Sequence, residues 1–278
     1  MFGSVGVFVR KLYAVDFSNA TVLFARAVIA SALLLIYILI TKPALLKLRK
    51  QDLPWVFGCA VCSLLVTNIC FNISSTTLSL AFAAVLLSIA PVYSLVISRF
   101  AFGSRITGKQ IICVAMTIAG CILVSGVIGS SVQLNSFGVF AGIISGISYG
   151  LFSIFSKKGI EGGLNPLTIT FYSMLIGTVV LAPFTSFPTI GAYIAASPLH
   201  SMLFLLAHSL TVGVLPYLFL AISSSRLNPG TVNILASCEP VAAMIFGVIF
   251  YSEVPTVLSF LGLIVTVVAL GVLCKGKE

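Results

Sequence analysis

Nine stretches of about twenty predominantly apolar residues dominate this chain, and helices of that length are what the roughly 30 Å hydrocarbon core of a bilayer requires. They run roughly from Asn19 to Ile40, Leu53 to Ile73, Leu80 to Phe102, Lys109 to Ile128, Ser136 to Ser156, Leu167 to Phe184, Ser201 to Ala221, Pro229 to Tyr251 and Val254 to Leu273. A tenth apolar segment, Met1 to Val9, is a stub too short to cross. In hydrocarbon every backbone N–H and C=O must be satisfied within its own segment, and these runs are far longer than barrel strands of about ten alternating residues, so each is read as a helix. Asn165-Pro166 and Asn228-Pro229 set an N-cap and a first-position proline where two spans begin. Composition agrees. With 59% hydrophobic and 8% charged residues, against about 25% charged in soluble domains, there is too little polar surface to coat a globule in water, and disorder is excluded. The expected fold class is an all-α polytopic membrane protein, with the lipid bilayer as its main surroundings.

Short loops rich in Lys and Arg stay in the cytoplasm, so counting cations in alternate connections gives an orientation. One set of loops holds Lys42, Lys47, Arg49, Lys50, Arg99, Arg105, Lys109, Lys157, Lys158, Arg226, Lys275 and Lys277; the other holds only Arg10 and Lys11. This places the C-terminus, and with ten spans the N-terminus too, in the cytoplasm. The net charge of +9 is thus a topology signal, and no nucleic-acid partner is expected.

Sliding the chain on itself by 149 residues aligns Ser74-Ser75 with Ser223-Ser224, Leu78 with Leu227, Leu86 with Leu235, Ser88 with Ser237, Pro91-Val92 with Pro240-Val241, Thr107 with Thr256 and Thr117 with Thr266. An offset of 147 pairs Phe2-Gly3 with Tyr149-Gly150, Phe8 with Phe155, Arg10-Lys11 with Lys157-Lys158 and Phe24 with Phe171. The reading is a ten-helix design in two five-helix repeats, residues 1–128 and 136–274. Five is odd, so the second repeat enters from the opposite side, the inverted arrangement of many secondary transporters. The first helix then lacks about twelve residues against its counterpart beginning at Ser136, and a truncated or misassigned start is expected. A signal peptide is the rival account, but no basic lead region precedes the apolar residues.

Phe2-Gly3-Ser4 at the start of the first helix, the asparagine opening the second with Arg26 inside it, and Leu235-Ala236-Ser237-Cys238-Glu239-Pro240-Val241 followed by Glu253 resemble the drug/metabolite transporter superfamily, EamA type. The first half departs from the pattern, with Ala90 opposite Glu239 and Ser104 opposite Glu253. The resemblance implies ten helices in two EamA repeats, alternating access, and movement of amino acids, nucleotide-related metabolites, sugars or drugs, commonly outward in bacteria.

A charge at mid-membrane costs about 2.5–3.5 kcal/mol even on lenient insertion scales, so Arg26 and Glu239 should face protein or a wet cavity. Glu239 is either a proton-coupling or substrate-amine contact, or one end of a fixed ion pair with Arg26 as its candidate partner, or a carboxylate bonded to neighbouring polar groups. Pro91 and Pro240 each remove a backbone hydrogen bond, freeing the carbonyls of Leu87 and Ala236. Matched breaks point to a central site, with a packing kink as the alternative. Asn233, Ser237 and Pro240 share a face, as do Ala84, Ser88 and Pro91. Asn68 and Asn72 share a face of the third span, with His208 and Tyr217 on the eighth; each is a solute contact or interhelical glue. His208 is alternatively a proton carrier. Tyr149 and Tyr172 are candidates for stacking on a ring or lining a gate, or for plain packing. Gly138, Gly142, Gly146 and Gly150 form a ridge for close helix packing, with a sliding seam as its functional version.

Cys59 and Cys62 have zinc-like spacing, but no second ligand pair follows, so neither metal nor cofactor is expected. An intramembrane enzyme would need clustered His, Asp or Glu, and the chain has six acids and two histidines in all. It has no Gly-x-Ser-x-Gly elbow, HExxH or phosphate-binding loop. A channel would need a ring of charges or a carbonyl filter. The sequence therefore reads as an inner-membrane secondary carrier, with a small-molecule solute, protons as a coupling ion and export as the expected direction. A non-transporting scaffold or sensor subunit stays open as the alternative, and the oligomeric state is not specified.

Overall fold

A computed structural model describes residues 4–78, 80–125, 135–252 and 255–274. Met1, Phe2, Gly3 and Glu253, which contribute to the expected repeat and motif, lie outside the described residues. The described elements are helical: α1 (Val5–Tyr13), α2 (Asn19–Thr41), α3 (Leu53–Phe57), α4 (Val66–Thr77), α5 (Leu80–Ser88), α6 (Ala90–Phe102), α7 (Gly108–Ser125), α8 (Ser136–Glu161), α9 (Pro166–Leu181), α10 (Phe187–Ala196), α11 (Pro198–His208), α12 (Leu215–Arg226), α13 (Pro229–Ala236), α14 (Glu239–Tyr251) and α15 (Val257–Cys274). A π-helical segment, Gly58–Leu65, joins α3 to α4, and another, Ser209–Val214, joins α11 to α12. Six helical stretches are long and apolar enough to cross a membrane: Asn19–Thr41, Lys50–Thr77, Ala83–Phe102, Ser136–Glu161, Pro166–Phe184 and Pro198–Arg226. Gly108–Val124 and Val257–Leu273 are shorter apolar helices. The protein is a multi-pass membrane protein. Its outward face carries large apolar side chains such as Ile40, Phe100 and Val257, which lipid solvates and water does not.

Helix starts follow local chemistry. Asn165 Oδ1 accepts from the Leu167 N–H, Asn228 Oδ1 from that of Gly230, and Asn135 Oδ1 from those of Phe137 and Gly138, so each asparagine satisfies donors that have no partner inside the helix. Two features depart from the sequence reading. The stub continues to Tyr13, so Arg10 and Lys11 belong to the last turn of α1 rather than to a loop. The connection before the eighth span contains α10, ten residues with proline in the first turn.

At both expected discontinuities a short turn separates two helices. At Ile89 the chain turns, with the Ile89 N–H bonded to the Leu86 carbonyl at 3.3 Å. At Ser237-Cys238 the N–H groups bond the Ile234 and Leu235 carbonyls at 3.2 and 3.4 Å. Pro91 and Pro240 therefore stand in the first turns of α6 and α14, where a missing N–H costs nothing because those donors have no intrahelical partner. The breaks centre on Ile89 and Cys238, 149 positions apart; the π-helical segments end at Leu65 and Val214, and the helices after them at Thr77 and Arg226, with the same spacing.

Helix α8, 26 residues long and so about 39 Å from end to end, fixes which loops share a face. Near its C-terminus Arg49 donates to the Gly162 carbonyl, Lys157 Nζ donates to the Leu227 carbonyl at 3.2 Å, and Lys157 and Lys158 lie over the Phe102 ring. Lys109 Nζ donates to the Leu273 carbonyl at 2.8 Å. The basic side chains thus satisfy free carbonyls at helix C-termini, where positive charge is favoured. At the other end of α8, Gly138 meets Thr77 and Leu78. The chain segments after α4 and α12 consequently lie at opposite ends of α8.

Candidate functional site

The break between α13 and α14 puts Glu239 at the first position of a thirteen-residue half-helix. The unpaired N–H groups and positive dipole end there favour a carboxylate. The Tyr149 hydroxyl, from the middle of α8, donates to Glu239 Oε2 at 3.3 Å. Tyr217, on α12, is 7% exposed, packs edge-on against Phe152 of α8 at 5.1 Å, and pairs with the side chain of Asn68 on α4. It lies within electrostatic range of both Arg26 and Glu239. A polar path therefore runs from Arg26 through Tyr217 and Asn68 to Tyr149 and Glu239, drawing on α2, α12, α4, α8 and α14. Tyr149, Asn68 and Glu239 each remain partly exposed.

Arg26 and Glu239 form no ion pair with each other among the described residues. The fixed-pair reading of these two charges is thereby corrected: tyrosines from α8 and α12 stand along the path that joins them. The aliphatic stem of Arg26 lies on Gly213, where a Cβ would come 3.1 Å from Arg26 Cγ. That close approach needs the glycine.

Asn233 acts as a clamp beside the break. Its Nδ2 donates to Ser94 Oγ at 2.8 Å, the Pro229 carbonyl at 3.0 Å and the Gly150 carbonyl at 3.4 Å, tying α13 to α6 and α8. Ser237 Oγ donates to the Asn233 carbonyl at 3.0 Å, and Ser88 Oγ to the Val85 carbonyl at 2.7 Å. These two serines engage their own helix ends just before the breaks.

The glycine ridge serves the same region. Gly138 faces Thr77 and Leu78, and Gly142 faces Ser74 and Leu86. A Cβ on Gly146 would come 2.9 Å from the Leu86 carbonyl, and one on Gly150 would come 3.2 Å from the Ala90 carbonyl. The ridge thus seats the broken α5–α6 pair directly on α8.

Three sequence candidates lie apart. Tyr172 donates to the Leu46 carbonyl at 2.7 Å, joining α9 to the basic loop rather than to the polar path. Asn72 sits one turn beyond Asn68, with its carbonyl engaged by Ser75 and Thr76. His208 is fully buried on α11 with Phe8 of α1 stacked against it at 5.2 Å. Cys59 lies 3.6 Å from Ser156 Oγ, and no metal-holding group of three or more His, Cys, Asp or Glu occurs among the described residues. The sequence reading missed Ser94, Gly213 and both π-helical segments. A mid-membrane asparagine at 233 did signal that some polar partner must face it.

Two segments, residues 1–126 and 136–274, each match the EamA-like transporter family. The chain belongs to the EamA-like transporter family. Similar proteins include an uncharacterised transporter of Archaeoglobus fulgidus, 27% identical over 94% of this chain and 88% of that protein, and the uncharacterised transporter YdfC of Bacillus subtilis, 25% identical over 87% and 77%. Another uncharacterised transporter of Archaeoglobus fulgidus is 25% identical over 62% of this chain, a match that spans only 59% of that protein's length. A probable terminal-alkyne amino-acid exporter of Streptantibioticus cattleyicolor is 24% identical over 77% and 70%. A solved crystal structure superposes with a TM-score of 0.78 at 14% identity, covering 98% of this chain and 91% of that one, which speaks to the fold alone. The family match and the membrane-spanning helices support a transporter role.

Proposed function

We propose that this transporter is a secondary carrier of the cytoplasmic membrane that exports small metabolites, such as amino acids or related solutes, by alternating access, with protons as the coupling ion. The observation that carries the reading is the Tyr149–Glu239 contact at the α13–α14 break. A carboxylate held at a helix start, bonded to a neutral hydroxyl and partly open, can exchange a proton or a cationic group with a passing solute. The site residues are Glu239, Tyr149, Tyr217, Asn68, Arg26 and Asn233, with Ser237 and Ser88 at the breaks and Pro91 and Pro240 beginning the second half-helices. Discontinuous helices near the midplane are where secondary transporters bind substrates.

The 149-residue spacing of breaks, π-helical segments and helix ends supports two inverted five-helix repeats in a ten-helix design. Opposite placement of the segments after α4 and α12 supports it too. The clustered basic loops support cytoplasmic N- and C-termini. Export of amino-acid-like solutes is supported by the name of the Streptantibioticus cattleyicolor relative. Metabolite profiling of the medium around cells overproducing the protein tests this reading. At least one amino-acid-like metabolite is expected to accumulate outside relative to cells making Glu239→Gln; identical profiles would contradict export.

A further inference from the structure

Two buried groups stand out on the α2–α11 side of the polar path. Arg26 is 5% exposed and forms no ion pair with an acid among the described residues. The described acids do not supply its counter-charge: Asp52 pairs with Arg49, Glu161 with Lys158, Glu239 accepts from Tyr149, and Asp16 is exposed. His208 is 0% exposed, and neither ring nitrogen has a hydrogen-bond partner. Arg26 lies within electrostatic range of His208, and the two approach across the π-helical segment Ser209–Val214: His208 immediately precedes it, and Gly213 within it supports the Arg26 stem. A guanidinium without a counter-ion in a bilayer interior is costly, and an imidazole with both nitrogens idle adds an unmet hydrogen-bonding demand. One ligand with negatively charged oxygens would answer both.

We propose that Arg26 and His208 form an anion subsite that takes the carboxylate of the transported solute. The proposal rests on the carrier reading above and adds a chemical requirement on the cargo. Charge counting favours carboxylate over phosphate: Arg26 brings one permanent charge, which a monoanion matches, whereas a phosphate dianion would leave net negative charge in a dry site. A guanidinium also fits a carboxylate through two parallel N–H···O bonds. Glu239, at the far end of the path, repels an anion and attracts any cationic group, so the solute is held with its carboxylate toward Arg26.

The test reads thermal unfolding of the purified full chain in detergent with three probes at equal concentration and ionic strength. These are a pool of the twenty L-amino acids, the same pool as α-carboxamides, and inorganic phosphate. The acid pool is expected to raise Tm by about 2–4 °C, with no shift from the amides or phosphate. Arg26→Gln should abolish the shift, and Arg26→Lys should keep a reduced one. Equal stabilisation by amides, stabilisation by phosphate alone, no shift with the acid pool, or a full response in Arg26→Gln would each overturn the proposal. If Arg26→Gln fails to fold, the acid-against-amide comparison on the unaltered protein still decides. Binding is read here without flux. A failed efflux test would therefore sink the carrier reading alone, and pH-driven flux beside equal acid and amide shifts would sink the subsite alone.

Discussion

Glu239→Gln is expected to abolish the part of solute flux driven by a pH gradient while leaving the folded protein intact. The amide has nearly the same shape and its carbonyl still accepts from the Tyr149 hydroxyl, which stands 3.3 Å from the carboxylate. What it loses is a negative charge at the start of α14, an effect of about 0.3–1 kcal/mol at a helix N-terminus, too small to unfold the bundle. It also loses the ability to take and release a proton, so coupling should disappear. In proteoliposomes loaded with a solute from the efflux screen, the variant should retain exchange at equal pH and lose at least tenfold of the flux driven by a pH difference. An unchanged pH response would remove Glu239 from coupling and move the search to another titratable group on the path.

The second large effect concerns packing. Gly146→Val should destabilise the protein by about 2–3 kcal/mol, at the upper end of what overpacking costs. The new Cβ would stand 2.9 Å from the Leu86 carbonyl and 3.3 Å from Tyr93. The nearer neighbour is backbone next to the break at Ile89, so it cannot rotate aside as a side chain would. Gly191→Val on α10 is the matched control, since nothing lies within 4 Å of its Cβ position. Monodisperse yield and Tm in detergent should fall sharply for the first and stay near wild type for the second. Equal tolerance of both would mean that the ridge is not the seat of the broken helix.

Much of this architecture was legible because the bilayer allows few solutions. Runs such as Asn19 to Ile40 had to be helices, and Asn165-Pro166 and Asn228-Pro229 marked helix starts by chemistry that needs no tertiary context. The prolines announced discontinuities, although the turns fall just ahead of them, because proline is accommodated in a first turn and not within one. The π-helical segments were not legible: nothing in Gly58–Leu65 or Ser209–Val214 distinguishes an extra residue per turn from ordinary helix, and they emerge only in the fold, where the first packs on α8 and α9 and the second on α2. The Asn233–Ser94 contact and the separation of Arg26 from Glu239 depend on how helices far apart in sequence are rotated against one another. The Tyr172 contact was hidden for the same reason, since its place on α9 gave no sign that its hydroxyl would reach the Leu46 carbonyl.

In the proposed carrier, two halves of opposite orientation enclose the path from Arg26 to Glu239. Thr76 and Ser225 are exposed equivalents 149 positions apart, at the ends of α4 and α12. In a cysteine-free background, a membrane-impermeant maleimide should label Thr76→Cys in intact cells, and Ser225→Cys only after the membrane is opened. Labelling of both from the same side would contradict the inverted arrangement.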